Sequence, residues 1–348
     1  MSCIHPLIVQ GIKIPTNVFF APINPGFSRQ GSLNERTLDF HINHSGRDIG
    51  VYYVGNVSMK KEWISNDNTV VLLETELNKW KRLAQGISKR GSLPGIQLAW
   101  KPELIKMQRS FQTENLDEQL YIFKHFYNEF NDIDHLASIY IKSINSAITS
   151  GFRVIQLHAA HGYALSLLLS RSVSGCKDPS KTKGAQLLKT IFSNVNKKNN
   201  IIDVRVSLYE GIDDTKTELE YKTQLFHIFV ELGFDIISLS NGFYNIDKQM
   251  IYPPKRNGPI ILEDAISITE QFPNILWNVA GNMEEVILTD KDIPNNLSFS
   301  IGRQLMADPD TVIKIKRNQI YKIQKCSECG ACHYYSYNYD GIRPCKKK

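Results

Sequence analysis

The sequence predicts a (β/α)₈ barrel, because short apolar runs alternate with stretches of helical periodicity along a chain of 348 residues. Eight of these runs are short and rich in β-branched or aromatic residues, as strands are. Strands of a parallel sheet look apolar along their whole length because helices cover both faces of the sheet. The runs occupy residues 17–22, 49–55, 94–99, 152–158, 202–208, 234–240, 275–281 and 297–302.

Candidate helices separate several of the runs, at residues 74–91, 133–151, 216–233 and 262–272. Two of these helices end in a glycine, Gly151 and Gly233, directly before the next strand, which is a common way to close a helix. An open, doubly wound sheet is the alternative. It would usually have fewer strands, and no Gly-x-Gly-x-x-Gly turn follows the first run. We therefore predict the barrel.

Composition narrows the class of protein. Hydrophobic residues make up 42% of the chain, enough for one large α/β domain, and the net charge of +6 comes from 41 basic and 35 acidic residues. The basic residues are too dispersed to favour nucleic acid. No stretch offers the roughly 18 uncharged apolar residues that a membrane helix needs, and the first residues do not look like a signal peptide. We expect a cytoplasmic protein with neither nucleic acid nor membrane as a partner.

The chain is predicted to divide into a barrel over residues 1–320 and a cysteine-rich tail over 321–348, packed on the barrel or extending it. Residues 101–132 form an excursion after the third run. In a barrel, such a connection lies over the C-terminal end of the strands, where active sites are built.

The fourth run ends in LHAAHGY, which contains His158, His161 and Tyr163. At the end of a barrel strand, two histidines can donate hydrogen bonds to a developing oxyanion. They can also bind zinc, although no third and fourth ligand is evident at another strand end. Packing without any catalytic role is the remaining alternative. We favour the oxyanion donors.

Glycine and arginine residues lie in or at the ends of other runs. Gly281 and Gly302 allow backbone N–H groups to approach an anion, and Arg303 adds a charge, so the loops after the seventh and eighth runs predict a phosphate site. Arg205 lies inside the fifth run, where an unpaired charge is costly to bury. It either pairs with a carboxylate such as Asp203 or faces an electron-rich ligand at the mouth of the barrel. We favour the ligand.

The order of these motifs resembles the Old Yellow Enzyme family of FMN-dependent ene-reductases. The resemblance rests on NVFFAP at 17–22, G-x-Q-L-A at 95–99, G-F-x-x-I-x-L-H-x-A-H-G-Y at 151–163, the arginine of the fifth run, and I-G-R-x-L-x-A-D-P at 301–309. It extends from about Leu7 to the last cysteine. H-x-A-H-G-Y and I-G-R-x-L-x-A-D-P are specific when they occur together in this order.

The resemblance implies bound FMN, NAD(P)H as electron donor and a small α,β-unsaturated carbonyl compound as substrate, and it leaves a homo-oligomer open. His158 and His161 would donate to the substrate carbonyl oxygen, and Tyr163 would protonate the α-carbon. The implied FMN contacts are Ala21, Pro22 and Ile23 through their backbone, Asn24 near the O4/N5 edge, Gln97 at the pyrimidine ring, Arg205 at N1 and the C2 carbonyl, and Gly281, Asn282, Gly302 and Arg303 at the phosphate.

This chain departs from the family pattern at Asn24, where Thr or Cys is usual, and at Trp100, where many members have His. The segment after LLLS lacks the usual acidic Tyr-Gly-Gly loop. Two alternatives to an ene-reductase therefore stay open. One is a partner-dependent flavoprotein without activity on small enones, and the other is a metal-dependent barrel enzyme that uses His158 and His161.

Four cysteines cluster near the end of the sequence in a C-x₂-C-x₂-C-x₁₂-C pattern: Cys326, Cys329, Cys332 and Cys345. The first three have a spacing typical of iron–sulfur proteins, and four thiolates equally suit zinc. Cluster-bearing relatives of the family usually have C-x₂-C-x₃-C. A 4Fe–4S cluster, a structural zinc and a tail without metal are the three interpretations.

Overall fold

Parallel strands form a closed barrel in the computed structural model of the protein, which describes residues 3–103, 105, 113, 115–197, 199–254, 257–289, 292–330 and 332. The strands are β1 (Leu7–Val9), β2 (Ile12–Ile14), β3 (Val18–Phe20), β4 (Val51–Ser58), β5 (Leu93–Ala99), β6 (Val154–Ala159), β7 (Ile201–Ser207), β8 (Ile236–Ser240), β9 (Leu276–Ala280) and β10 (Leu297–Ile301). Strands β3 to β10 pair in sequence order, and β10 pairs with β3 to close the ring. All eight strands predicted from the sequence are confirmed.

Helices surround this ring. In the described part of the chain they are α1 (Glu35–His44), α2 (Leu77–Lys89), α3 (Leu116–Glu129), α4 (Ile133–Thr149), α5 (Ala164–Leu169), α6 (Arg171–Ser174), α7 (Lys183–Asn194), α8 (Thr215–Leu232), α9 (Lys248–Ile251), α10 (Leu262–Gln271), α11 (Arg303–Ala307) and α12 (Thr311–Lys316). The four predicted helices correspond to α2, α4, α8 and α10. Gly151 (φ +91°) and Gly233 (φ +88°) follow α4 and α8 in the left-handed conformation that glycine adopts without strain.

The excursion after β5 contains a helix, α3, that was not predicted from the sequence. Asn115 begins α3 by accepting a hydrogen bond from the backbone N–H of Glu118. The backbone N–H of Thr113 donates to the carbonyl of Ile246, 2.8 Å away, so the excursion contacts the loop that follows β8. Residues 104, 106–112 and 114 lie outside the described part of the chain.

The hairpin formed by β1 and β2 covers the N-terminal end of the barrel, and it was not predicted from the sequence either. Leu7 and Ile14 pair across the hairpin. They pack in one buried apolar cluster with Phe19, Val51, Tyr53, Val154, Ile201, Ile236 and Leu276, most of which lie at or near the beginnings of barrel strands. The opposite end, where the strands finish, holds the predicted site.

Side chains alternate between the two faces of each strand, so every second residue points into the barrel and the inward residues form layers. On β6 the inward residues are Val154, Gln156 and His158, and their register partners on β7 are Ile201, Asp203 and Arg205. From the hairpin to the mouth, the interior therefore changes from apolar to polar to basic. Within the described residues, no helix is both long and apolar enough to cross a membrane.

The close packing beside β4 yields a stability prediction. A Cβ atom on Gly50 would lie 1.9 Å from the backbone oxygen of Thr16, which cannot move without shifting the chain. Gly50→Ala should lower the free energy of unfolding by about 3 kcal/mol, as overpacking does. The measurement is urea unfolding followed by circular dichroism.

Gly86→Ala is the matched control. Its Cβ would meet Ile42 Cδ1 at 2.6 Å, the end of a flexible side chain, and alanine favours the helical backbone of α2 by about 1 kcal/mol. The loss should be clearly smaller than that of Gly50→Ala. Equal losses for the two variants would contradict this account.

Candidate active site

His158, His161 and Tyr163 lie together at the C-terminal end of β6, as the sequence predicted for residues of one site. The imidazole centre of His158 is 5.1 Å from that of His161 and 4.4 Å from the phenol ring of Tyr163. All three side chains are buried. The Nδ1 atom of His158 has no hydrogen-bond partner among the described residues. Since a buried polar atom is normally satisfied, Nδ1 is suited to bind a group that enters the mouth.

His161 is held from several directions. Its backbone adopts a positive φ of +65°, which turns the chain at the strand end. Its Nε2 lies 2.7 Å from the hydroxyl of Ser240 on β8, and its backbone N–H donates to Ser207 Oγ at 3.0 Å. The carbonyl of His161 accepts from the backbone N–H of Tyr244. The loops that follow β6 and β8 are therefore joined at this histidine.

Tyr163 immediately precedes α5, and its hydroxyl points back toward β4. The side-chain amide of Asn56 donates to the phenol oxygen at 3.0 Å. Tyr244, whose ring centre is 6.4 Å away, lies on the other side and shares a hydroxyl–hydroxyl hydrogen bond of 2.5 Å with Tyr252. The phenol, which follows β6, thus lies among polar side chains from the ends of β4 and β8.

Burial determines the protonation of these groups. Desolvation, aided by the positive charge of Arg205, holds the pKa of His158 well below its usual value, so its imidazole is neutral at neutral pH. Burial, followed by the effect of Tyr244, raises the pKa of Tyr163. The site therefore combines a neutral imidazole with a phenol that keeps its proton.

Arg205 is buried beside His158 and stays charged, although burial lowers the pKa of its guanidinium. It donates from Nη2 to Ser240 Oγ at 3.1 Å, and its Nε has no partner within the described chain. The alternative in which Arg205 pairs with Asp203 is not realised: the described residues contain no ion pair between them within 4.0 Å. A cation with an unused buried donor at the mouth fits an electron-rich ligand.

Asp203 belongs instead to a set of hydrogen-bonded side chains that crosses the middle of the barrel. Its carboxylate accepts from Tyr53 OH at 2.6 Å, from Gln156 Nε2 at 2.5 Å and from Ser238 Oγ at 2.9 Å. We call this set the polar belt, and its members are Tyr53, Gln97, Gln156, Asp203, Ser238, Asn278 and Ser300. The belt draws one buried residue from each strand between β4 and β10.

The carboxyl group at the centre of the belt is fully buried, and burial raises its pKa to about 6. The hydrogen bonds from Tyr53, Gln156 and Ser238 oppose this shift, as does the charge of Arg205. At neutral pH Asp203 is therefore a buried carboxylate that can only accept hydrogen bonds.

The residues expected beneath a flavin lie at the ends of β3, β4 and β5. A Cβ on Gly55 would lie 2.8 Å from Gln97 Cβ and 3.2 Å from Pro22 Cβ, so Pro22 and Gln97 flank this glycine closely. Ile23 and Ala21 lie beside Gly302, at 3.3 and 3.6 Å from the position of its absent Cβ. The predicted residues Ala21, Pro22, Ile23, Gln97 and Gly302 thus share one region of the mouth.

The amide of Asn24 turns toward its own loop. Its Oδ1 accepts from the backbone N–H of Gly26 at 2.9 Å, and its Nδ2 approaches Thr69 Oγ1 at 3.4 Å. The predicted contact of Asn24 with the flavin O4/N5 edge stays a prediction.

The two turns expected to bind phosphate lie next to each other. Arg303 donates from Nη2 to the side-chain oxygen of Asn282 at 2.5 Å and to the carbonyl of Pro253 at 2.8 Å. Gly281 has a φ of +111°, and a Cβ placed on it would meet no atom within 4 Å, so space is open on that side. The structure brings Gly281, Asn282, Gly302 and Arg303 together; their role toward phosphate stays a prediction.

Trp100, a departure from the family pattern, belongs to an aromatic group on one side of the mouth. Its ring centre lies 4.7 Å from that of Trp63 and 5.6 Å from those of Phe126 and Phe130. Its carbonyl accepts from the backbone N–H of Ala164, the residue after Tyr163. The tryptophan therefore supports the turn that presents the catalytic candidates.

The segment after α5 is anchored by buried charge. Glu210, in the loop after β7, accepts from Ser170 Oγ and from Lys222 Nζ, each at 2.5 Å, and the side chains of Glu210 and Lys222 are each only 4% exposed. A buried pair of this kind is costly to disrupt, because removing one partner leaves the other uncompensated. The loops after β6 and β7 are consequently fixed to each other.

The cysteine tail begins against α11. Cys326 donates its backbone N–H to Gln304 Oε1 at 3.0 Å, and the carbonyl of Gln324 accepts from Gln304 Nε2. Cys329 and Cys332 are described, whereas Cys345 lies outside the described residues. Across the described ranges, no group of three or more His, Cys, Asp or Glu is arranged to hold a metal ion. The domain boundary at 320 and the metal interpretations of the tail stay predictions.

Several residues that shape the site were not predicted from the sequence: Asn56, Gln156, Ser238, Ser240, Tyr244 and Tyr252. One signal was available for part of this set. On β6, β7 and β8 a polar residue stands two positions before the residue at the mouth, as in Gln156 before His158. This spacing of two places both residues on the inner face. Asn56, Tyr244 and Tyr252 lie in strand-end or loop segments, where no such pattern exists.

Comparison with known proteins shows the family. A family profile described as "NADH:flavin oxidoreductase / NADH oxidase family" matches residues 21–322. The chain belongs to this family, and the resemblance found in the sequence is confirmed. Membership implies FMN as the cofactor. The NADH oxidase of Thermoanaerobacter brockii is 21% identical over 352 aligned residues, covering 92% of this chain and 52% of that protein.

Solved structures share the fold. A 2-naphthoyl-CoA reductase in complex with 2-naphthoyl-CoA superposes with a TM-score of 0.76 at 14% identity, covering 97% of this chain and 56% of the other. The Old Yellow Enzyme from Pichia sp. AKU4542 gives a TM-score of 0.65 at 13% identity over 90% of this chain and 86% of that one. This chain spans about half the length of the NADH oxidase and of the 2-naphthoyl-CoA reductase.

The raised pKa of Asp203 predicts how stability depends on pH. The pKa of Asp203 is about 6 in the folded state and 3.8 as a reference value for the unfolded chain. The group therefore stabilises the folded state most below about pH 4, and this contribution is lost as the pH rises through 6. Asp203→Asn removes the titrating group. The free energy of unfolding of the wild type should fall by about 3 kcal/mol relative to the variant between these limits. Urea unfolding at a series of pH values measures the difference.

Tyr53→Phe provides the comparison, because it removes a hydrogen bond that lowers the pKa of Asp203. Its pH-dependent loss of stability should move to higher pH. Curves for the wild type and Asp203→Asn that run parallel from pH 4 to 7 would show that Asp203 does not titrate in this range.

Proposed function

We propose that the protein is an FMN-dependent oxidoreductase that reduces the activated C=C bond of a small α,β-unsaturated carbonyl compound, with NAD(P)H as electron donor. One observation carries the proposal: His158, His161 and Tyr163 converge at the barrel mouth, and the buried Nδ1 of His158 has no partner in the described chain. Such a group of donors suits a substrate that develops negative charge on oxygen and then needs a proton.

The histidines supply the oxyanion site. When a hydride adds to the β-carbon of an enone, negative charge accumulates on the carbonyl oxygen, and preorganised N–H donors stabilise it as it forms. The lowered pKa of His158 makes it a neutral donor. His161, tied to Ser240 and Ser207, is fixed in position before substrate binds, so little reorganisation is required.

Tyr163 supplies the proton. Its raised pKa keeps the phenol protonated at neutral pH, and the proton is transferred to the α-carbon as the addition is completed. The amide of Asn56 donates to the phenol oxygen and is placed to stabilise the phenolate left after the transfer. Tyr163 therefore acts as the general acid of this proposal.

The mouth also fits FMN. Bound FMN would supply the hydride. The buried Nε of Arg205 lacks a partner within the described residues and would face the electron-rich side of the isoalloxazine, while Gln97 would bind its pyrimidine ring. Ala21, Pro22, Ile23 and Asn24 would contribute contacts at the end of β3. Gly281, Asn282, Gly302 and Arg303 would hold the phosphate at the adjoining turns.

The first test of the proposal is an anaerobic ultraviolet–visible spectrum of the purified protein, before and after addition of FMN and then of NADH or NADPH. We expect a flavin spectrum that bleaches with the nicotinamide, and FMN in the supernatant after heat denaturation. A protein that takes up no FMN would refute the proposal.

Tyr163→Phe tests the role of the phenol. The reduction of the flavin by NAD(P)H should be nearly unchanged, because that step needs no proton from Tyr163. Reoxidation by a simple enone such as 2-cyclohexenone should slow by a factor of about 100 or more, the usual contribution of a general acid. Stopped-flow absorbance measures the two half-reactions separately.

Tyr140→Phe is the matched control, because Tyr140 is fully buried in α4, away from the mouth. It should leave both half-reactions as in the wild type. Equal slowing of both half-reactions in Tyr163→Phe would remove Tyr163 from the proton-donor role. A wild-type protein that binds and reduces FMN, yet transfers nothing to any enone even with dithionite as reductant, would favour the partner-dependent flavoprotein.

A further inference from the structure

The hydrogen bonds around Asp203 in the polar belt have one consistent assignment of donors and acceptors, and the carboxylate sets it. As a carboxylate, Asp203 can only accept, so the group that lies 2.5 Å from its Oδ2 has to be the NH₂ end of Gln156. The second N–H of that amide donates to Ser238 Oγ at 3.1 Å. Reversing the Gln156 amide would place its oxygen against the carboxylate and lose both bonds. The orientation of Gln156 is thereby fixed.

The fixed amide of Gln156 in turn orients Gln97. The Gln156 oxygen points away from Asp203 and accepts from Gln97 Nε2 at 2.7 Å. Gln97 therefore uses one N–H inside the belt, which leaves its carbonyl oxygen and its second N–H for other partners. Gln97 lies next to Gly55 and Pro22 at the strand ends, where the proposed function places the pyrimidine ring of FMN.

From this geometry we infer that Asp203 is a positioning residue, which fixes through Gln156 the direction in which the Gln97 amide presents its donor and its acceptor to the flavin. The inference rests on the proposed function for the identity of the ligand. The orientation of the two amides follows from the belt itself. Every bond in this relay joins buried side chains: Asp203, Gln156 and Gln97 are 0%, 1% and 3% exposed.

Other members of the belt leave little freedom for an alternative arrangement. Ser238 Oγ donates to Asp203 and accepts from both Gln156 and Asn278, the latter at 2.9 Å, so its hydrogen-bonding capacity is used. The second N–H of Asn278 donates to Ser300 Oγ. In a water-poor interior, a reversed amide would leave unpaired donors facing each other.

Asp203→Asn removes the fixed acceptor with little change of shape. If the NH₂ of the new amide replaces Oδ2, Gln156 has to reverse to accept from it, and Gln97 has to reverse after Gln156. If the NH₂ replaces Oδ1 instead, it faces Ser238 Oγ, which has no acceptor capacity left. Each placement costs the belt a hydrogen bond and removes the charged acceptor that fixes the direction of the Gln156 amide, and through it that of Gln97. We expect the affinity for FMN to fall about tenfold, as for one impaired hydrogen bond.

The double variant Asp203→Asn, Gln156→Glu is the rescue. The carboxylate introduced at position 156 accepts directly from Gln97 Nε2. The asparagine amide introduced at position 203 donates to this carboxylate. The original direction of Gln97 is restored although two residues have changed. The affinity for FMN should return to within about twofold of the wild type, a difference of less than about 0.5 kcal/mol.

The orientation of the amides is measured without flavin, from the side-chain N–H resonances of apoprotein labelled with ¹⁵N-glutamine. In the wild type, one Gln156 N–H bonded to the carboxylate should be shifted downfield and protected from exchange. Asp203→Asn should remove the strong downfield shift of that resonance, because Gln156 either reverses or donates only to a neutral amide oxygen. The double variant should show a shifted resonance again, now from Gln97, which donates to the introduced glutamate.

Asp235→Asn is the matched control. Asp235 is a buried carboxylate just before β8, bonded to the backbone N–H of Ile202 and paired with Lys197, and it lies outside the belt. Its replacement should lower stability while the glutamine resonances and the affinity for FMN stay as in the wild type. Equal loss of FMN affinity in Asp235→Asn and Asp203→Asn would mean that any buried carboxylate has this effect, which overturns the inference.

The remaining outcomes test the relay and the ligand separately. A shifted Gln156 resonance that persists in Asp203→Asn, or a double variant without one from Gln97, overturns the relay. If Asp203→Asn does not fold, the Gln97 resonance of the double variant, which keeps the buried charge, supports or overturns the relay. A wild type that binds no FMN refutes the proposed function, whereas the resonances still establish or overturn the positioning of Gln97.

Discussion

The charge of a carboxylate buried inside a barrel has to be compensated by neighbouring hydrogen-bond donors. The Asp203 carboxylate accepts hydrogen bonds from hydroxyl and amide donors on β4, β6 and β8. These donors are themselves oriented by their bonds to the carboxylate, so one charge organises side chains on most of the ring. The apolar cluster under the hairpin lies on one side of this belt, and His158 and Arg205 lie on the other. The mouth therefore lies next to a layer of side chains whose hydrogen-bond donors and acceptors have only one consistent arrangement.

The layers follow from the alternation of side chains along each strand. Val154, Gln156 and His158 differ in chemistry and share one inner face, so a single strand contributes to the apolar cluster, the belt and the site. A backbone shift that moves one of the three also moves the others. The catalytic candidates are buried, while Nδ1 of His158 and Nε of Arg205, which lack partners within the described part of the chain, lie at the mouth.

The strands could be predicted because burial on both faces leaves an apolar signal in each run, and the motif around His158 could be predicted because its residues are close in sequence. The belt could not. The bond between Gln156 and Asp203 spans 47 positions, and that between Tyr53 and Asp203 spans 150, so both depend on the register between strands. The N-terminal hairpin was missed because three-residue strands give too short a pattern to recognise. The helix α3 was missed because it lies inside the segment interpreted as an excursion, although its buried residues Phe123, Phe126 and Tyr127 recur at helical spacing.

The hairpin also bears on the order in which the fold is completed. Its apolar cluster joins Leu7 to Leu276, and the ring closes only when β10 pairs with β3, so these contacts link opposite ends of the sequence. Because contacts of such separation carry a large loop-closure entropy, we expect them to form late in folding. Until then, water can reach the interior and solvate Asp203. We therefore expect the desolvation of this carboxylate and the closure of the barrel to occur in one cooperative step.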